Sequence, residues 1–382
     1  MVSLGKLLGN MVGNKAWLVS YLMHPFLKIL AFLILTRMVL LLIPWLLLGN
    51  NFSFWEFTEN SWNRWDAPHY LYIAKSGYTN QGDEANFIVF MPLYPLLVKL
   101  ASLVFKNIFW SAIILSLVFF CLGCFVLYEV VKKYFSEVVA RRTIVFLATF
   151  PTSYFFMAPY SESLFFFTAA LSFYSASRKD WLTAGVSAGL AAFTRPFGLL
   201  LAPSILFGWL MDKKGKSVHL AFTLLLPTLA AVVIYLYMNK IIYADYFAFQ
   251  KILSSHWYKQ FTLPPIGLYE TWQRALSGEL NYYTVMIGWA EALSLTFAWI
   301  LLPIAFLKLP RSWAIYYLLS ILLFSSTSFI LSTLRYLLSI PPVFVLLAII
   351  TKRHLFQAIW LAMSISLLLY LTLLFAGGQW AF

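Results

Sequence analysis

The sequence is poor in charge and in cysteine, and each shortage excludes a class of protein. Only 11% of the 382 residues are charged, whereas 62% are hydrophobic. Soluble domains contain about 25% charged and about 45–50% apolar residues, so this chain carries more apolar surface than a water-soluble core can bury. The two cysteines, Cys121 and Cys124, lie in an apolar run, where a thiol packs as a small hydrophobic group. Two cysteines in such a run exclude a protein that is held together by a disulfide framework. We therefore predict a polytopic membrane protein.

Motifs for metals and for soluble nucleotide-linked substrates are also missing. The chain has no Walker loop, no G-x-G-x-x-G loop and no D-x-D pair. None of its histidines is spaced four residues from another, and they are His24, His69, His219, His256 and His354. We therefore expect no metal and no cofactor, and any activated substrate would have to come from the membrane.

The positions of the basic residues indicate the membrane topology. The chain contains 27 Lys and Arg against 14 Asp and Glu, a formal net charge of +13. Because cytoplasmic loops of membrane proteins are enriched in Lys and Arg, we assign these charges to loops and not to a nucleic-acid surface, with the N-terminus in the cytoplasm. The basic clusters are Lys132, Lys133, Arg141 and Arg142; Arg178 and Lys179; Lys213, Lys214 and Lys216; Lys308 and Arg311; and Lys352 and Arg353.

Apolar runs predict an all-α bundle of about eleven transmembrane helices in a single domain over 1–382. A crossing takes about 20 apolar residues, so the shorter runs are expected to be tilted, broken or paired half-helices. The runs lie at 27–48, 110–131, 143–159, 163–177, 181–194, 197–211, 218–238, 284–306, 313–331, 336–350 and 355–376. The further run at 87–105 is interrupted by Pro92 and Pro95, and we predict that it lies on the outer membrane face.

Two segments between the predicted spans are long enough to carry chemistry. They cover about 49–109 and about 239–283, and both are expected on the extracytoplasmic side. Reactive groups concentrate on loops that a rigid scaffold positions, so we expect the functional residues there.

The run SWNRWDAPHYLYIAKSGY in the first segment contains Trp65, Asp66, His69 and Tyr70. An acid placed among aromatic rings, a cation and an imidazole beside a membrane is costly unless it is paired or used. Asp66 is therefore our leading catalytic candidate. The alternative is a helix N-cap, because Ala67 and a proline follow, and the two interpretations are compatible.

Two further motifs offer polar side chains near this segment. Tyr94 lies in FMPLYPLL, where anchoring at the membrane interface is favoured over ligand contact. Glu162 lies in APYSESL, where a carboxylate either caps the next helix or faces a polar cavity.

Three arginines occupy positions that require an explanation. Arg195 precedes Pro196 between two apolar pieces, and Arg335 precedes Tyr336 in STLRYLL. Each guanidinium either binds a phosphate bidentately or snorkels to lipid headgroups. Arg37 lies in the middle of the first apolar run and needs a partner that the sequence does not identify.

His256 and Trp257 lie in the second long segment, in FQKILSSHWYKQFTLPP. A lone histidine is more often a surface residue than a participant in chemistry. The adjacent aromatic ring and the nearby Lys251 and Lys259 favour a functional interpretation.

Several of these motifs, taken in order, resemble the PIG-V family of mannosyltransferases. They are RWDAPHYLYIAKSGY, FMPLYPLL, FPTSYFFMAPYSESLFF, AGLAAFTRPFGLLL, YFAFQKILSSHW, LRYLLSIPPVFVLLA and GQWAF. The resemblance spans nearly the whole chain, and its WDAPH and YSESL elements are the more specific ones.

The resemblance implies a GT-C glycosyltransferase with an extracytoplasmic active site. It implies a polyprenyl-phosphate sugar donor, mannose as the sugar, a glycolipid or glycan acceptor and a bacterial cytoplasmic membrane. In such enzymes an acid of the first outer loop is essential, and Asp66 matches that position. The substrate-binding residues we expect are Trp65, His69, Tyr70, Tyr94, Glu162, Arg195, His256, Trp257, Arg335 and Tyr336.

Two other functions would use similar features. A transporter or flippase of lipid-linked saccharides would carry ionisable groups and broken helices near the bilayer midplane, often in repeated halves. The acids here lie mostly in outer segments, and no internal repeat is evident, which favours the enzyme. A non-catalytic scaffold would bind the sugar lipid without turnover.

Overall fold

The computed structural model describes residues 25–212 and 218–381. In these ranges the secondary structure is helical, and the β-type pairing among them is one isolated bridge between Phe261 and Thr327. The expected all-α class and the expected multi-pass membrane character are both confirmed. The predicted basic cluster at 213–216 lies outside the described residues.

The α-helices of the described residues are numbered in chain order. They are α1 (Pro25–Leu48), α2 (Phe54–Trp62), α3 (Ala67–Ser76), α4 (Leu93–Phe105), α5 (Ile108–Tyr134), α6 (Glu137–Ala148), α7 (Glu162–Ser177), α8 (Trp181–Ala192), α9 (Leu201–Met211), α10 (Val218–Tyr243), α11 (Ala248–Ser255), α12 (Pro264–Leu276), α13 (Ala290–Lys308), α14 (Arg311–Ser325), α15 (Thr333–Leu337), α16 (Pro341–Ile350) and α17 (His354–Ala376). Short 3₁₀ segments cover Asp83–Val89, Ser153–Phe156 and Pro196–Leu200, and a π-helical turn at Thr284–Trp289 leads into α13.

Five helices in the described ranges are long and apolar enough to cross a membrane, each of 22 to 27 residues. They correspond to α1, α5, α10, α13 with its π-helical turn, and α17. The remaining apolar runs form helices of 10 to 16 residues, which are shorter than the roughly 20 residues of a full crossing. The expected count of eleven transmembrane helices is therefore not confirmed, whereas the expected short, broken helices are present.

The segment that follows α3 is bent. The 3₁₀ segment Asp83–Val89 and helix α4 meet at 110°, and Pro92 occupies the N-cap of α4. Proline lacks the N–H that a continuous helix needs, which explains the break. Leu100 and Val104 of α4 are exposed apolar side chains, and the placement of this segment on the outer membrane face stays a prediction.

Close helix packing supports the short helices. A Cβ atom at Gly189 of α8 would lie 2.7 Å from the carbonyl oxygen of Pro227 in α10, so only glycine fits between them. Membrane helices that lack a hydrophobic driving force associate through such small residues. Helix α8 is thereby fixed against α10 just before the chain reaches Arg195.

The partner of Arg37 is the end of α6. The Arg37 guanidinium donates to the carbonyl oxygens of Ala148 and Ser153, the latter at 2.6 Å, and lies 4.9 Å from the Phe120 ring centroid. The last carbonyls of a helix have no intrahelical donor, and inside a membrane protein they must be satisfied by another group. Arg37 therefore holds the turn that leads from α6 toward Glu162.

Tyrosine hydroxyls hold the bent segment between α3 and α4 in place. Tyr235 of α10 donates to the carbonyl oxygen of Ile88 at 2.8 Å, and Tyr78 donates to that of Phe90 at 2.7 Å. These bonds satisfy backbone carbonyls at the end of the 3₁₀ segment, and the Tyr235 bond fixes that segment against a long helix. The aromatic side chains of that stretch are thereby positioned beside α3.

Replacing Arg37 by leucine should destabilise the fold. The carbonyl oxygens of Ala148, at the end of α6, and of Ser153, in the following 3₁₀ segment, would lose a charged donor inside an apolar bundle, which we expect to cost about 2–4 kcal/mol. Thermal denaturation in detergent, followed by size-exclusion chromatography, measures the loss. Lys28→Leu on the same helix is the control, because Lys28 is exposed. Equal shifts of the denaturation midpoint in both variants would contradict the assignment.

Candidate active site

Asp66 occupies the N-cap position of α3, but its side chain does not cap the helix. The carboxylate Oδ2 instead accepts a hydrogen bond from Nη1 of Arg335 at 2.6 Å, and the side chain is 19% exposed. Trp65, directly before it, has a φ of +56°, a left-handed conformation that is unusual for a bulky residue. Asp66 thus stands at the start of the helix without capping it, its carboxylate is paired with Arg335, and its catalytic role stays a prediction.

Glu162 is the first residue of α7 and lies at the centre of the same cluster. Its Oε1 accepts a hydrogen bond from Nε of Arg335 at 2.5 Å and forms an ion pair with Nη1 of Arg195 at 2.6 Å, while that Nη1 donates to the Ser161 hydroxyl at 3.3 Å. The side chain is only 1% exposed. Of the two interpretations offered by the sequence, the carboxylate therefore faces a polar cluster and does not serve as a helix cap.

The two arginines are buried, which excludes snorkelling to lipid headgroups. The side chain of Arg195 is 8% exposed and that of Arg335 is 7% exposed. The break predicted at Arg195 is present, because α8 ends at Ala192 and a 3₁₀ segment begins at Pro196. Arg335 is carried by the five-residue helix α15.

Asp66, Glu162, Arg195 and Arg335 form what we call the ion network. Two carboxylates balance two guanidinium groups, so the network is formally neutral. Removing one partner from a buried ion pair leaves an uncompensated charge and is strongly destabilising. Burial opposes the charge on Arg335, but the nearby Glu162 and Asp66 carboxylates raise its pKa well above the usual value, so it stays a cation.

Aromatic rings enclose the guanidinium of Arg335. Its central carbon lies 4.7 Å from the ring centroid of Phe155 and 4.7 Å from that of Tyr160. Cations are attracted to the faces of aromatic rings, particularly where water is excluded. These rings fix the plane of the guanidinium and therefore the direction of its donors.

Hydroxyl groups join the chain around Asp66 to the residues just before α7. The Tyr160 hydroxyl donates to the carbonyl oxygen of Arg64 at 2.7 Å and accepts from the backbone N–H of Asp66 at 3.2 Å. The hydroxyls of Tyr70 and Ser161 lie 2.8 Å apart. The backbone at Arg64 and Asp66 and the Tyr70 side chain are therefore bound to Tyr160 and Ser161, which directly precede Glu162.

His69 and Trp257 come together in an aromatic cluster beside the ion network. The His69 ring centroid lies 4.3 Å from that of Phe87 and 6.0 Å from that of Trp257. Burial lowers the pKa of His69, and Asp66 opposes this shift, while His256 adds to it. In the described part of the chain, no hydrogen-bond partner reaches the buried Nδ1 of His69 or Nε1 of Trp257. Both atoms are candidates to bind a hydroxyl.

Lys259, in the segment at about 239–283, forms a hydrogen bond to α15. Its Nζ donates to the Tyr336 hydroxyl at 2.8 Å and lies 5.0 Å from the Tyr336 ring centroid. Burial raises the pKa of Tyr336, but Lys259 and Arg335 outweigh it, so the net direction is downward. Across residues 25–212 and 218–381, no carboxylate lies within ion-pair distance of Lys259.

Two predicted site residues lie apart from the ion network. Tyr94 is fully buried, and its hydroxyl is 2.9 Å from that of Ser116 in α5, so it is neither at the membrane interface nor in the network. His256 ends α11 and is exposed, with its ring 5.3 Å from that of Trp257. The Trp65 ring packs edge-on against Trp380 at 5.0 Å.

Tyr160 and Lys259 contribute to the site but were not among the predicted site residues. Tyr160 directly precedes Ser161 and Glu162 in APYSESL, and Lys259 follows Trp257 by two residues, so both lay within motifs already identified. In the described residues, no group of three or more His, Cys, Asp or Glu side chains is arranged to hold a metal ion.

Comparisons with known proteins find sequence similarity to mannosyltransferases over part of the chain. Residues 90–243 match the family model described as dolichyl-phosphate-mannose-protein mannosyltransferase. GPI mannosyltransferase 2 of Drosophila pseudoobscura pseudoobscura is 29% identical over 116 residues, which cover 28% of this chain and 25% of that protein. GPI mannosyltransferase 2 of Schizosaccharomyces pombe is 29% identical over 117 residues, covering 30% of this chain and 24% of that protein. The matched part thus spans about a quarter of these relatives.

A solved structure shares the fold. The crystal structure of ArnT from Cupriavidus metallidurans bound to undecaprenyl phosphate matches with a TM-score of 0.52 and 14% identity, covering 85% of this chain and 60% of that chain. The expected GT-C-like fold and the expected resemblance to PIG-V mannosyltransferases are confirmed by these matches.

The lowered pKa of His69 predicts how stability depends on pH. The unfolded chain takes up a proton at His69 near pH 6.5, while the folded chain does so only at lower pH, so stability should fall as pH drops below about 6.5. His69→Phe should flatten this part of the curve, measured as the denaturation midpoint in detergent between pH 7.5 and pH 5. His354→Phe, at an exposed histidine, is the control. An unchanged slope in His69→Phe would refute the prediction.

Proposed function

We propose that this protein is a membrane glycosyltransferase that transfers a hexose from a polyprenyl-phosphate donor to an extracytoplasmic glycolipid or glycan acceptor. Mannose is the proposed sugar, because the sequence relatives are described as mannosyltransferases. A bacterial cytoplasmic membrane is the proposed location. The ArnT structure that shares the fold was solved with undecaprenyl phosphate, which supports a polyprenyl-phosphate donor.

The observation that carries the proposal is the difference in exposure between the two carboxylates of the ion network. Asp66 is 19% exposed and Glu162 only 1%, although both bind the same guanidinium. A general base must come within hydrogen-bond distance of the hydroxyl that it deprotonates. The partly exposed Asp66 can be reached by such a hydroxyl, whereas Glu162 is enclosed and serves to hold the two arginines.

The proposed reaction is a single inverting displacement. The acceptor hydroxyl oxygen forms a bond to the anomeric carbon as the bond between that carbon and the phosphate oxygen breaks. The electron pair of the broken bond leaves with the lipid phosphate, and the hydroxyl proton passes to Asp66. Attack occurs on the face opposite the phosphate, so the anomeric configuration inverts.

Cations near Asp66 would stabilise the departing phosphate. We assign this role to Arg195 and Arg335, assisted by Lys259 and the exposed His256. Lys259 is well suited, because binding a phosphate there breaks no ion pair among the described side chains. Charge that develops on a leaving group is stabilised most effectively by donors that are already oriented.

The aromatic side chains of the outer segments would bind the sugar. Trp65, Tyr70 and Trp257 provide ring surfaces on which a sugar can stack. The unpartnered nitrogens of His69 and Trp257 provide polar contacts for sugar hydroxyls. Buried polar atoms that lack a partner cost free energy, and a bound hydroxyl would relieve that cost.

Replacing the proposed base should abolish transfer. We expect Asp66→Asn and Asp66→Ala to lower turnover by about 10²–10⁴-fold, because the acceptor hydroxyl loses the group that takes its proton. The assay supplies labelled polyprenyl-phosphate mannose and a mixture of glycolipid acceptors to purified protein in proteoliposomes. Asp83→Asn, at an exposed acid of the same outer segment, is the control and should transfer normally.

Near-normal transfer by both Asp66 variants would remove Asp66 as the base. Movement of the labelled lipid across the bilayer, without formation of a glycosidic bond, would instead identify a flippase. Binding of the labelled lipid without either result would identify a non-catalytic scaffold.

Neutralising a phosphate-binding cation should slow the reaction, with turnover measured per folded protein because Arg195 is buried beside Glu162. We expect Lys259→Gln and Arg195→Gln each to lower turnover by about 10²–10³-fold, since one oriented donor to the leaving phosphate is lost. Donor affinity and turnover are measured separately in the same assay. Lys251→Gln is the matched control, because Lys251 is an exposed lysine of the same segment, paired with Asp245 at 2.7 Å. Unchanged donor affinity and turnover would eliminate the phosphate role.

A further inference from the structure

A second buried carboxylate lies close to the ion network but outside it. Glu291 is in the first turn of α13, and the residue is 2% exposed. Its Oε1 accepts from the backbone N–H of Ser332 at 2.5 Å, and its Oε2 accepts from that of Thr333 at 2.8 Å. Both oxygens of the Glu291 carboxylate therefore accept hydrogen bonds from two consecutive backbone amides of a different segment.

Those two amides begin the helix that carries Arg335. Helix α15 runs only from Thr333 to Leu337, and Ser332 at its N-cap makes no side-chain capping bond. The first N–H groups of any helix lack intrahelical partners, and a negative charge near them is favourable. Glu291 thus supplies from α13 the cap that α15 does not supply for itself.

The backbone at this point requires external support. Ser332 has a φ of +70°, in the left-handed region that favours glycine. A non-glycine residue keeps such a conformation only where surrounding contacts hold it. The bond from Ser332 N–H to Glu291 is a contact of this kind.

The orientation of α15 determines where the Arg335 guanidinium lies. Arg335 is two residues after Thr333, and its Nε and Nη1 bind Glu162 at 2.5 Å and Asp66 at 2.6 Å. A helix of five residues has too few internal hydrogen bonds to fix its own direction. Any loosening of its first turn would therefore move the donors that face Asp66.

We propose that Glu291 is a positioning residue, which holds the start of α15 so that Arg335 is oriented toward Asp66 and the departing phosphate. This inference rests on the proposed function for the roles of Arg335 and Asp66. The chemistry favours a carboxylate at this position. A glutamine has one acceptor oxygen, and its amide N–H₂ would face a backbone N–H with no acceptor between them.

The first test does not depend on activity. Hydrogen exchange in Glu291→Gln, read by mass spectrometry on peptides that cover 331–337, should be about tenfold faster than in the wild type, because a charge-assisted bond to these amides is lost. Peptides from α5 should exchange at the wild-type rate. Glu279→Gln, at an exposed acid of the second outer segment, is the matched control. Unchanged exchange at 331–337 would overturn the proposal, whether or not the protein is a glycosyltransferase.

The second test is a double-mutant cycle in the transfer assay, with turnover measured per folded protein. We expect Glu291→Gln to lower turnover about tenfold and Arg335→Lys to lower it more. If Glu291 acts through Arg335, the double variant should be about as slow as Arg335→Lys alone, because coupled residues are not additive. A loss equal to the product of the two single losses would show that Glu291 acts independently of Arg335, and would overturn the proposal.

A rescue variant tests whether backbone strain at Ser332 causes the loss of turnover. Glycine adopts a φ of +70° without strain, so Ser332→Gly in the Glu291→Gln background should recover part of the lost turnover. No recovery, together with multiplicative losses in the cycle, would leave Glu291 without a positioning role. If the wild type itself transfers no sugar, the proposed function fails, and the exchange experiment alone decides whether Glu291 holds α15.

Discussion

The guanidinium of Arg335 between Asp66 and Glu162 is the interaction on which the rest of the site depends. It joins residues that are 269 and 173 positions away in the chain. A buried cation is tolerated only with well-placed carboxylates, so the helices that carry these groups must be held in register. The aromatic rings around Arg335 and the tyrosine bonds to the first outer loop serve this requirement.

The same physical constraint explains the charged residues inside the apolar bundle. Short, broken helices expose backbone groups at their ends, and these groups cannot be left without partners in a membrane protein. Arg37 binds the carbonyls at the end of α6, and Glu291 binds the amides at the start of α15. Each long polar side chain reaches from one helix to the end of another. The cost of placing a charge in the bundle is thus offset by backbone groups that need it.

Exposure differs among the members of the ion network. Glu162, Arg195 and Arg335 are nearly enclosed, whereas Asp66 keeps one face toward solvent. Lys259 reaches the same place from the second outer segment and is bound to a hydroxyl and not to a carboxylate. A neutral, rigid network with one accessible acid and one additional cation at its edge suits a reaction in which a proton and a phosphate leave in different directions.

Composition and apolar runs were sufficient to identify a helical membrane protein, and the cost of charge near a membrane was sufficient to single out Asp66, Glu162, Arg195 and Arg335. Neither reveals which charges pair, because pairing is a distance in space between segments far apart in the chain. The number of long helices could also not be predicted from the sequence. An apolar run has the same composition whether it crosses the bilayer completely or forms half of a crossing. Tyr94 was assigned to ligand binding on its motif, whereas packing against α5 placed it in the core. Local chemistry thus indicated which residues are unusual, and only the folded arrangement decided what each of them contacts.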